Sequence, residues 1–213
     1  MSESENSALT GVVVTGTGRV SLPPDVLTAR LGAEATTTGV QEALDRCSVA
    51  MTALAAALRE GAVADRDRRT SGSTLHQAHD HTGQPRGWTA VQELTVRLRD
   101  LDRAGELISA AIAAAGDEAR LHAVAFDIDR DSDEYAAARV QARQRAFADA
   151  HAAATQYAEL AGRRLGVVIT MREVNGGYPP PYPMRMAAME AMPVEQGELD
   201  VTTTVEVRWE LLS

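Results

Sequence analysis

The chain closes with Leu199-Asp-Val-Thr-Thr-Thr-Val-Glu-Val-Arg-Trp-Glu-Leu211, in which the odd-numbered residues are apolar or threonine and the even-numbered ones mostly polar. Side chains alternate between the two faces of a β-strand, so a period of two marks a strand with one buried face. This segment therefore predicts a long strand whose odd face, including Trp209, lies in a core. Such a sheet needs helices or a second sheet to cover that face.

Upstream of this strand the chain carries six further strand patterns and three helical ones. The strands are predicted over residues 11–20, 26–35, 66–77, 88–99, 121–128 and 165–174. The first helix is predicted to start at a capping box formed by Thr38 and Gln41 and to end at Gly61. The second is predicted from a capping Asp102 to Ala115, before Gly116.

The third helix is long and rich in alanine, and we predict that it opens at Asp131 or Ser132 and runs to about Ala161. Its larger apolar side chains recur at helical spacing and predict the buried stripe. That stripe comprises Val140, Phe147, Ala150, Ala154, Tyr157 and Leu160.

The element order β-β-α-β-β-α-β-α-β-β predicts an α+β fold, with an antiparallel or mixed β-sheet and three helices packed on it. A chain of 213 residues is long enough for one large core, so we predict a single domain over residues 11–213. Residues 1–10 are predicted to be a disordered lead, and residues 175–197 an insertion rich in Gly, Pro and Met.

Composition argues against several classes of partner and compartment. The formal net charge is −9 and all basic residues are Arg, so nucleic acid is a poor partner for this surface. Neither a transmembrane run nor an export signal is visible, which predicts a soluble cytoplasmic protein. The single cysteine, Cys47, excludes an intrachain disulfide and falls on the predicted apolar face of the first helix, where a thiol behaves as a small hydrophobe.

Several segments together resemble the SIMPL domain family. The opening Val14-Thr-Gly-Thr-Gly-Arg-Val-Ser-Leu-Pro-Pro-Asp25 is followed by Thr70-Ser71, by Leu98-Arg-Asp-Leu-Asp102, and by the Ala-rich helix. Leu165-Gly166, the Gly-Tyr-Pro-Met insertion and Gly197-Glu198 before a Val/Thr strand complete the set. The resemblance covers residues 11–212. It implies a self-assembling or partner-binding protein without a catalytic residue to transfer, and it makes a periplasmic or secreted location the alternative to the cytoplasm.

Three histidines, His76, His79 and His81, form the best candidate for a metal site. Imidazoles suit Zn²⁺, Cu²⁺ or Ni²⁺, and Asp80 is a further potential ligand. In a polar hairpin, however, such residues are more often solvated, and His76 has the opposite strand parity to His79. We therefore predict neither metal nor cofactor, and keep a metal-binding protein or metal-dependent enzyme built on these histidines as the alternative function.

Two other motifs are interpreted as structural. Asp127, Asp129, Asp131 and Asp133 lack the Gly and Glu that a calcium loop requires, and capping accounts for them. Gly16-Thr17-Gly18 is followed by Pro23-Pro24 in place of a phosphate-cradling helix, so it predicts a turn or a bulge. Neither a G-x-S-x-G elbow nor an H-E-x-x-H helix occurs, and we predict that the protein is not an enzyme.

The insertion holds the strongest candidates for a binding surface. Prolines lose little entropy on docking, and methionines adapt to irregular partner surfaces. The predicted partner-binding or oligomer-contact residues are Tyr178, Pro180, Tyr182, Met184, Met186 and Met189. The sequence thus predicts a homo-oligomer with a protein partner, formed through this tract or through exposed sheet edges.

Overall fold

The computed structural model describes residues 11–174 and 197–213, and the bounds below refer to this part of the chain. The strands are β1 Val12–Leu22, β2 Val26–Thr37, β3 Arg68–His79, β4 Pro85–Leu98, β5 Ala119–Asp127, β6 Arg164–Val174 and β7 Leu199–Leu212. The helices are α1 Val40–Glu60, α2 Leu101–Ala115 and α3 Asp133–Leu160. The predicted element order and the α+β class are confirmed.

The seven strands are distributed between two antiparallel sheets. One sheet has the order β1-β7-β6 and the other the order β3-β4-β2-β5. The chain accordingly divides into two compact units, one with β1, α3, β6 and β7 and one with the remaining elements. The single domain over residues 11–213 stays a prediction, while the lead 1–10 and the insertion, apart from Gly197, lie outside the described residues.

In the three-stranded unit, β7 is the central strand and its predicted inward face is confirmed. Val201, Thr203, Val205, Val207 and Trp209 are all buried, while the residues between them are exposed or half-buried. β1 and β7 pair in an unbroken register from Val12 opposite Trp209 to Leu22 opposite Leu199. The first and last strands of the chain are therefore neighbours, and their inward faces share a core with α3.

Helix α3 begins after Ser132, whose side chain accepts a hydrogen bond from the Tyr135 backbone N–H, so this predicted cap is confirmed. The predicted apolar stripe is wrong for its large residues, because Val140, Phe147, Tyr157 and Leu160 are exposed. The buried face is instead a ridge of alanines, one every four residues. It consists of Ala138, Ala142, Ala146, Ala150, Ala154 and Ala158.

In the four-stranded unit, α1 and α2 cover one face of the sheet and close a core of Leu, Val, Ile and Ala side chains. Cys47 is buried in it, as predicted, and its thiol donates a hydrogen bond to the Ala33 carbonyl oxygen at 3.3 Å. Burial also raises the pKa of that thiol, which disfavours the nucleophilic thiolate.

Two predicted helix caps in this unit are wrong by one or two residues. The N-cap of α1 is Gly39, without a side-chain bond, and Gln41 instead donates to Asp45 one turn further along the helix. The N-cap of α2 is Asp100, whose carboxylate accepts from the Arg103 N–H, so Asp102 lies in the first turn. Asp100 and Asp102 both lie near the positive end of the dipole of α2, where an acidic side chain is favourable. The sequence pattern alone therefore does not decide which of the two is the N-cap.

Candidate binding surface at strand β6

Strand β6 is the most exposed apolar element of the described chain. Val167 is 70% exposed and Met171 61% exposed, and Val168, Ile169 and Val174 are exposed as well. None of its eleven residues is buried. Solvent-exposed apolar side chains that cluster on one element mark interaction sites more often than scattered ones do.

The exposure follows from the position of α3. The helix lies mainly over β1 and β7 and makes few contacts with β6. Its alanine ridge approaches β1 where that strand has Gly16 and Gly18, and each glycine is in direct contact with the helix backbone. The helix therefore covers β1 and β7 and, within the described residues, leaves β6 at the other edge of the sheet largely exposed.

The two edges of this sheet also differ in how their backbone groups are used. At the β1 edge, the Thr17 N–H donates to the Asp149 carboxylate at 2.9 Å, and Arg145 donates to the Arg19 carbonyl oxygen. At the β6 edge, no such contact exists within residues 11–174 and 197–213, where β6 pairs only with β7. An open strand edge presents N–H and C=O groups that can pair with another chain.

Two irregularities in the pairing with β7 divide β6 into two parts. The register shifts between Leu165 and Val168 and again between Val168 and Thr170. From Thr170 to Val174 the pairing is regular. The bulged part therefore displays apolar side chains, while the regular part keeps the backbone geometry that an added strand needs.

A groove of about 400 Å³ runs between α3 and β6. Its floor is Val205, which is 6% exposed, and its walls are Phe147 and Met171. The Phe147 ring also packs at 6.0 Å, centroid to centroid, against the buried Trp209, which anchors that wall to the core. Gln144, Arg143 and Glu173 form the rim, so an apolar interior is bordered by polar groups.

Two arginines share the single carboxylate of the rim: Arg143, which lines the groove, and Arg139, which lies one turn earlier on α3. Glu173 accepts hydrogen bonds from Arg143 at 2.9 Å and from Arg139 at 3.4 Å. The bond from Arg143, helped by both positive charges, holds the pKa of Glu173 below its usual range, so this carboxyl is ionised at neutral pH. Two guanidinium groups then face one carboxylate, in a chain whose overall charge is −9.

The three histidines do not form a ligand set. His76 lies within β3, His79 ends that strand opposite Pro85, and His81 follows in the turn. The carboxylate of Asp80 accepts bonds from Thr82 N–H, Thr82 O–H and Gln84 N–H, so it serves the turn, and these bonds lower its pKa. Among the described residues, no group of three or more His, Cys, Asp or Glu side chains could hold a metal ion. The metal-dependent alternative is therefore not favoured.

The remaining motifs have local structural explanations. Asp129 is buried and accepts a bond from the Asp131 N–H, and Asp133 lies in the first turn of α3. The turn or bulge predicted at Gly16-Thr17-Gly18 is wrong, because β1 pairs there in an unbroken register. Those glycines are required by the approach of α3, as a Cβ on Gly16 would lie 2.2 Å from the Ala146 carbonyl oxygen.

The predicted contact residues between Tyr178 and Met189 lie outside the described residues, so they stay a prediction. The sequence predicts contact through exposed sheet edges, but it does not identify β6 as the candidate. A signal for β6 is Val167-Val168-Ile169, an apolar run without the alternation of a strand that has one solvated face.

The part of the chain that the structure describes contains no helix long and apolar enough to cross a membrane. Comparison with known proteins gives consistent matches over most of the chain. The family model SIMPL, described as a protein of unknown function (DUF541), matches residues 12–209. A 26 kDa periplasmic immunogenic protein of Brucella melitensis is 26% identical over 219 residues, which cover 94% of this chain and 84% of that protein. The protein of the same name from Brucella abortus gives the same identity and coverage.

Proposed function

The chain belongs to the SIMPL family of proteins of unknown function, and on that basis we propose that it is a non-catalytic protein that assembles with copies of itself and binds partner proteins. The observation that supports this most directly is the uncovered apolar strand β6. An exposed apolar strand at a sheet edge makes a monomer prone to aggregation, and burying that strand against another chain prevents it.

The other sheet edges, β1, β3 and β5, are poorer candidates for such a contact, and β5 has no exposed large hydrophobic residue among those described. β3 is rich in Arg, Ser, Thr, His and Gln side chains, most of which are exposed, and Leu75 is its only exposed large hydrophobic residue among those described. β1 already has two backbone groups bonded to α3 side chains. β6 carries five exposed large apolar residues, and three of them, Val167, Val168 and Ile169, lie in its bulged part, so we assign the assembly contact to that part.

A matched pair of valines tests the assignment. Val167 on β6 is 70% exposed and Val49 on α1 is 71% exposed, so Val167→Asp and Val49→Asp introduce the same charge at equal exposure. Native mass spectrometry should show the wild-type protein as a multiple of the 22.7 kDa chain. We expect Val167→Asp to lower that mass and Val49→Asp to leave it unchanged, with circular dichroism confirming that both variants fold. A wild-type monomer at all concentrations would sink the proposal.

We propose that the Tyr-Pro-Met tract adds to the same contact through Tyr178, Pro180, Tyr182, Met184, Met186 and Met189. A variant that lacks residues 176–192 tests this separately from β6. If the tract contributes, its deletion should reduce the assembled mass without changing the thermal unfolding midpoint by more than a few degrees. An unchanged mass would assign assembly to the described surfaces and remove the tract from the proposal.

We also propose that the protein acts in the periplasm, as the names of its Brucella relatives state for them. The prediction of a cytoplasmic location, made from the apparent absence of an export signal, finds no support in these relatives. Fractionation of the source organism, followed by immunoblotting, decides between the two compartments. Recovery of the protein only with the cytoplasmic fraction would contradict the periplasmic proposal.

A further inference from the structure

We infer that the groove between α3 and β6 binds an extended peptide segment of a partner protein, in which an apolar side chain has acidic residues two positions before and two positions after it. This inference rests on the proposed partner-binding function and specifies the chemistry of the partner. Three features of the same site support it: an open strand edge, an apolar groove beside that edge, and two arginines that share one carboxylate at the groove.

The strand edge supplies the backbone part of recognition. Residues Thr170–Val174 pair regularly with β7 on one side and with no described strand on the other. A peptide in extended conformation that adds to a sheet edge gains main-chain hydrogen bonds irrespective of its sequence, and pockets for alternate side chains then give specificity. The bulges before Thr170 limit this pairing to a short segment, which favours a peptide over a full-length strand.

The groove supplies the apolar part. In an added strand, every second side chain points to the face of the sheet that carries α3. Met171 and Glu173 point to that face in β6, since they lie opposite the buried Val207 and Val205 of β7. A Leu, Ile or Met side chain of the peptide at this level would pack against Phe147 and Met171 and lose its contact with water.

The rim supplies the charge preference. Arg139 and Arg143 share the single carboxylate of Glu173, so its negative charge balances only one of the two guanidinium groups and the pair attracts a further carboxylate. The rest of the chain is acidic, so a peptide with acidic residues is repelled by most of the surface and attracted here. A peptide whose acids are replaced by lysines has the opposite preference.

Three synthetic peptides labelled with fluorescein test the inference by fluorescence anisotropy. The first has the sequence Thr-Asp-Thr-Leu-Thr-Asp-Thr, in which Leu and both Asp point to the same face of an extended strand. The second replaces both Asp by Lys, and the third carries N-methyl groups on all internal backbone nitrogens, which remove strand pairing. We expect the first peptide to bind at least about tenfold more tightly than either of the others. The second peptide has the opposite charges, and the third cannot form main-chain hydrogen bonds with β6.

Two tryptophan variants locate the site. Gln144 lines the groove, whereas Gln141 is exposed on the same helix and does not line it. Gln144→Trp fills the groove and should weaken binding of the acidic peptide about tenfold or more, while Gln141→Trp should leave it unchanged. Equal effects of the two variants, or equal binding of the acidic and lysine peptides, would overturn the inference.

The outcomes also separate this inference from the proposed function. If no peptide binds but Val167→Asp still lowers the assembled mass, the peptide site is wrong and the assembly proposal stands. If no peptide binds and Gln144→Trp lowers the assembled mass, the groove is a contact between copies of the chain, which also overturns the assignment to a partner peptide.

Discussion

Gly18 and Ala142 are packed so closely that a Cβ atom placed on Gly18 would lie 1.9 Å from the Ala142 carbonyl oxygen. The same atom would lie 2.5 Å from the Ala146 backbone nitrogen. No real Cβ atom approaches other atoms at such distances, so the strand and the helix touch through their backbones. This contact holds α3 over β1, so that β6, at the opposite edge of the sheet, is left exposed among the described residues.

Gly18→Ala is therefore expected to destabilise the protein. The added methyl group meets backbone atoms that can move only with the whole helix, so the cost should reach at least the roughly 1–3 kcal/mol usual for overpacking. Urea unfolding followed by circular dichroism measures the change. A variant as stable as the wild type would show that α3 does not lie this close to β1.

Gly105→Ala is the control for this substitution. Gly105 lies inside α2, and a Cβ there would meet nothing within 4 Å. Alanine is favoured over glycine in a helix interior by roughly 0.5–1 kcal/mol, so this variant should be more stable than the wild type. If the same Gly→Ala change lowers the free energy of unfolding at Gly18 and raises it at Gly105, the loss at Gly18 is due to close packing.

The alanine ridge of α3 gives a second prediction. Ala146 is fully buried, whereas Leu160 on the same helix is 76% exposed. Ala146→Leu should cost about 1–3 kcal/mol because the ridge has no space for a larger side chain, while Leu160→Ala should stay within about 0.5 kcal/mol. The reverse order of the two effects in urea unfolding would restore the stripe of large residues that the sequence pattern predicted.

That stripe also shows where sequence reasoning succeeds and where it fails. In β7, each inward position is a Val, Thr or Trp between polar residues, so the period of two identified the buried face. In α3, hydrophobicity predicts that the largest apolar residues are buried. The residues that are actually buried are alanines, because only a small side chain allows the helix to approach Gly16 and Gly18 so closely. The alanines at intervals of four from Ala138 to Ala158 are visible in the sequence, but other alanines surround them.

The distribution of strands between two sheets could not be predicted for a different reason. The pairing of β1 with β7 joins residues almost two hundred positions apart, and the alternation within each strand does not specify its neighbour. The binding groove depends on this pairing, because Val205 and Met171 come together only when β6 lies beside β7. A site created by strand order is thus invisible to local patterns.

A third prediction concerns the pair formed by Asp67 and Arg99. The guanidinium donates to both carboxylate oxygens at 3.1 Å, and the Asp67 side chain is 5% exposed against 35% for Arg99. Asp67→Ala should cost about 3 kcal/mol, the lower end of the range for breaking a buried pair, because Arg99 keeps some contact with water.

Asp200→Ala provides the comparison for Asp67→Ala. Asp200 pairs with Arg19 at 3.3 Å, but both side chains are largely solvated. An exposed pair of this kind contributes between 0 and about 1 kcal/mol. Chemical unfolding of the two variants should therefore separate them clearly, and equal losses would mean that burial of Asp67 adds nothing to its interaction.

A fourth prediction follows from Glu118, which accepts a hydrogen bond from Arg46 Nε at 3.0 Å. That bond is the main cause of the lowered pKa of Glu118 in the folded protein. A carboxyl with a depressed folded pKa stabilises the protein above its unfolded pKa of about 4.3, and this contribution is lost as the pH falls through the folded value. Acidification should thus erase the contribution of this pair.

The measurement compares wild type with Glu118→Gln in urea unfolding between pH 7 and pH 3. The variant should be less stable at neutral pH, and the difference should shrink as the pH falls. Arg46→Gln should give the same pH dependence, and the double variant should lose no more than either single one. A difference that stays constant down to pH 3 would contradict the interaction.

The last prediction uses the one thiol of the chain. Cys47 is 1% exposed, its thiol donates a hydrogen bond to the Ala33 carbonyl oxygen, and burial raises the pKa of the thiol. Only an accessible thiolate can attack the sulfur of a disulfide reagent and displace its thiol leaving group. The folded protein should therefore react at least about a thousandfold more slowly than the unfolded one, through transient opening of the core. In guanidinium chloride the unfolded protein should react at once and release one equivalent of the reagent's thiol leaving group, which confirms that the Cys47 thiol is intact. Fast and complete reaction without denaturant would show that α1 does not bury Cys47 against β2, and the core of the four-stranded unit would have to be reconsidered.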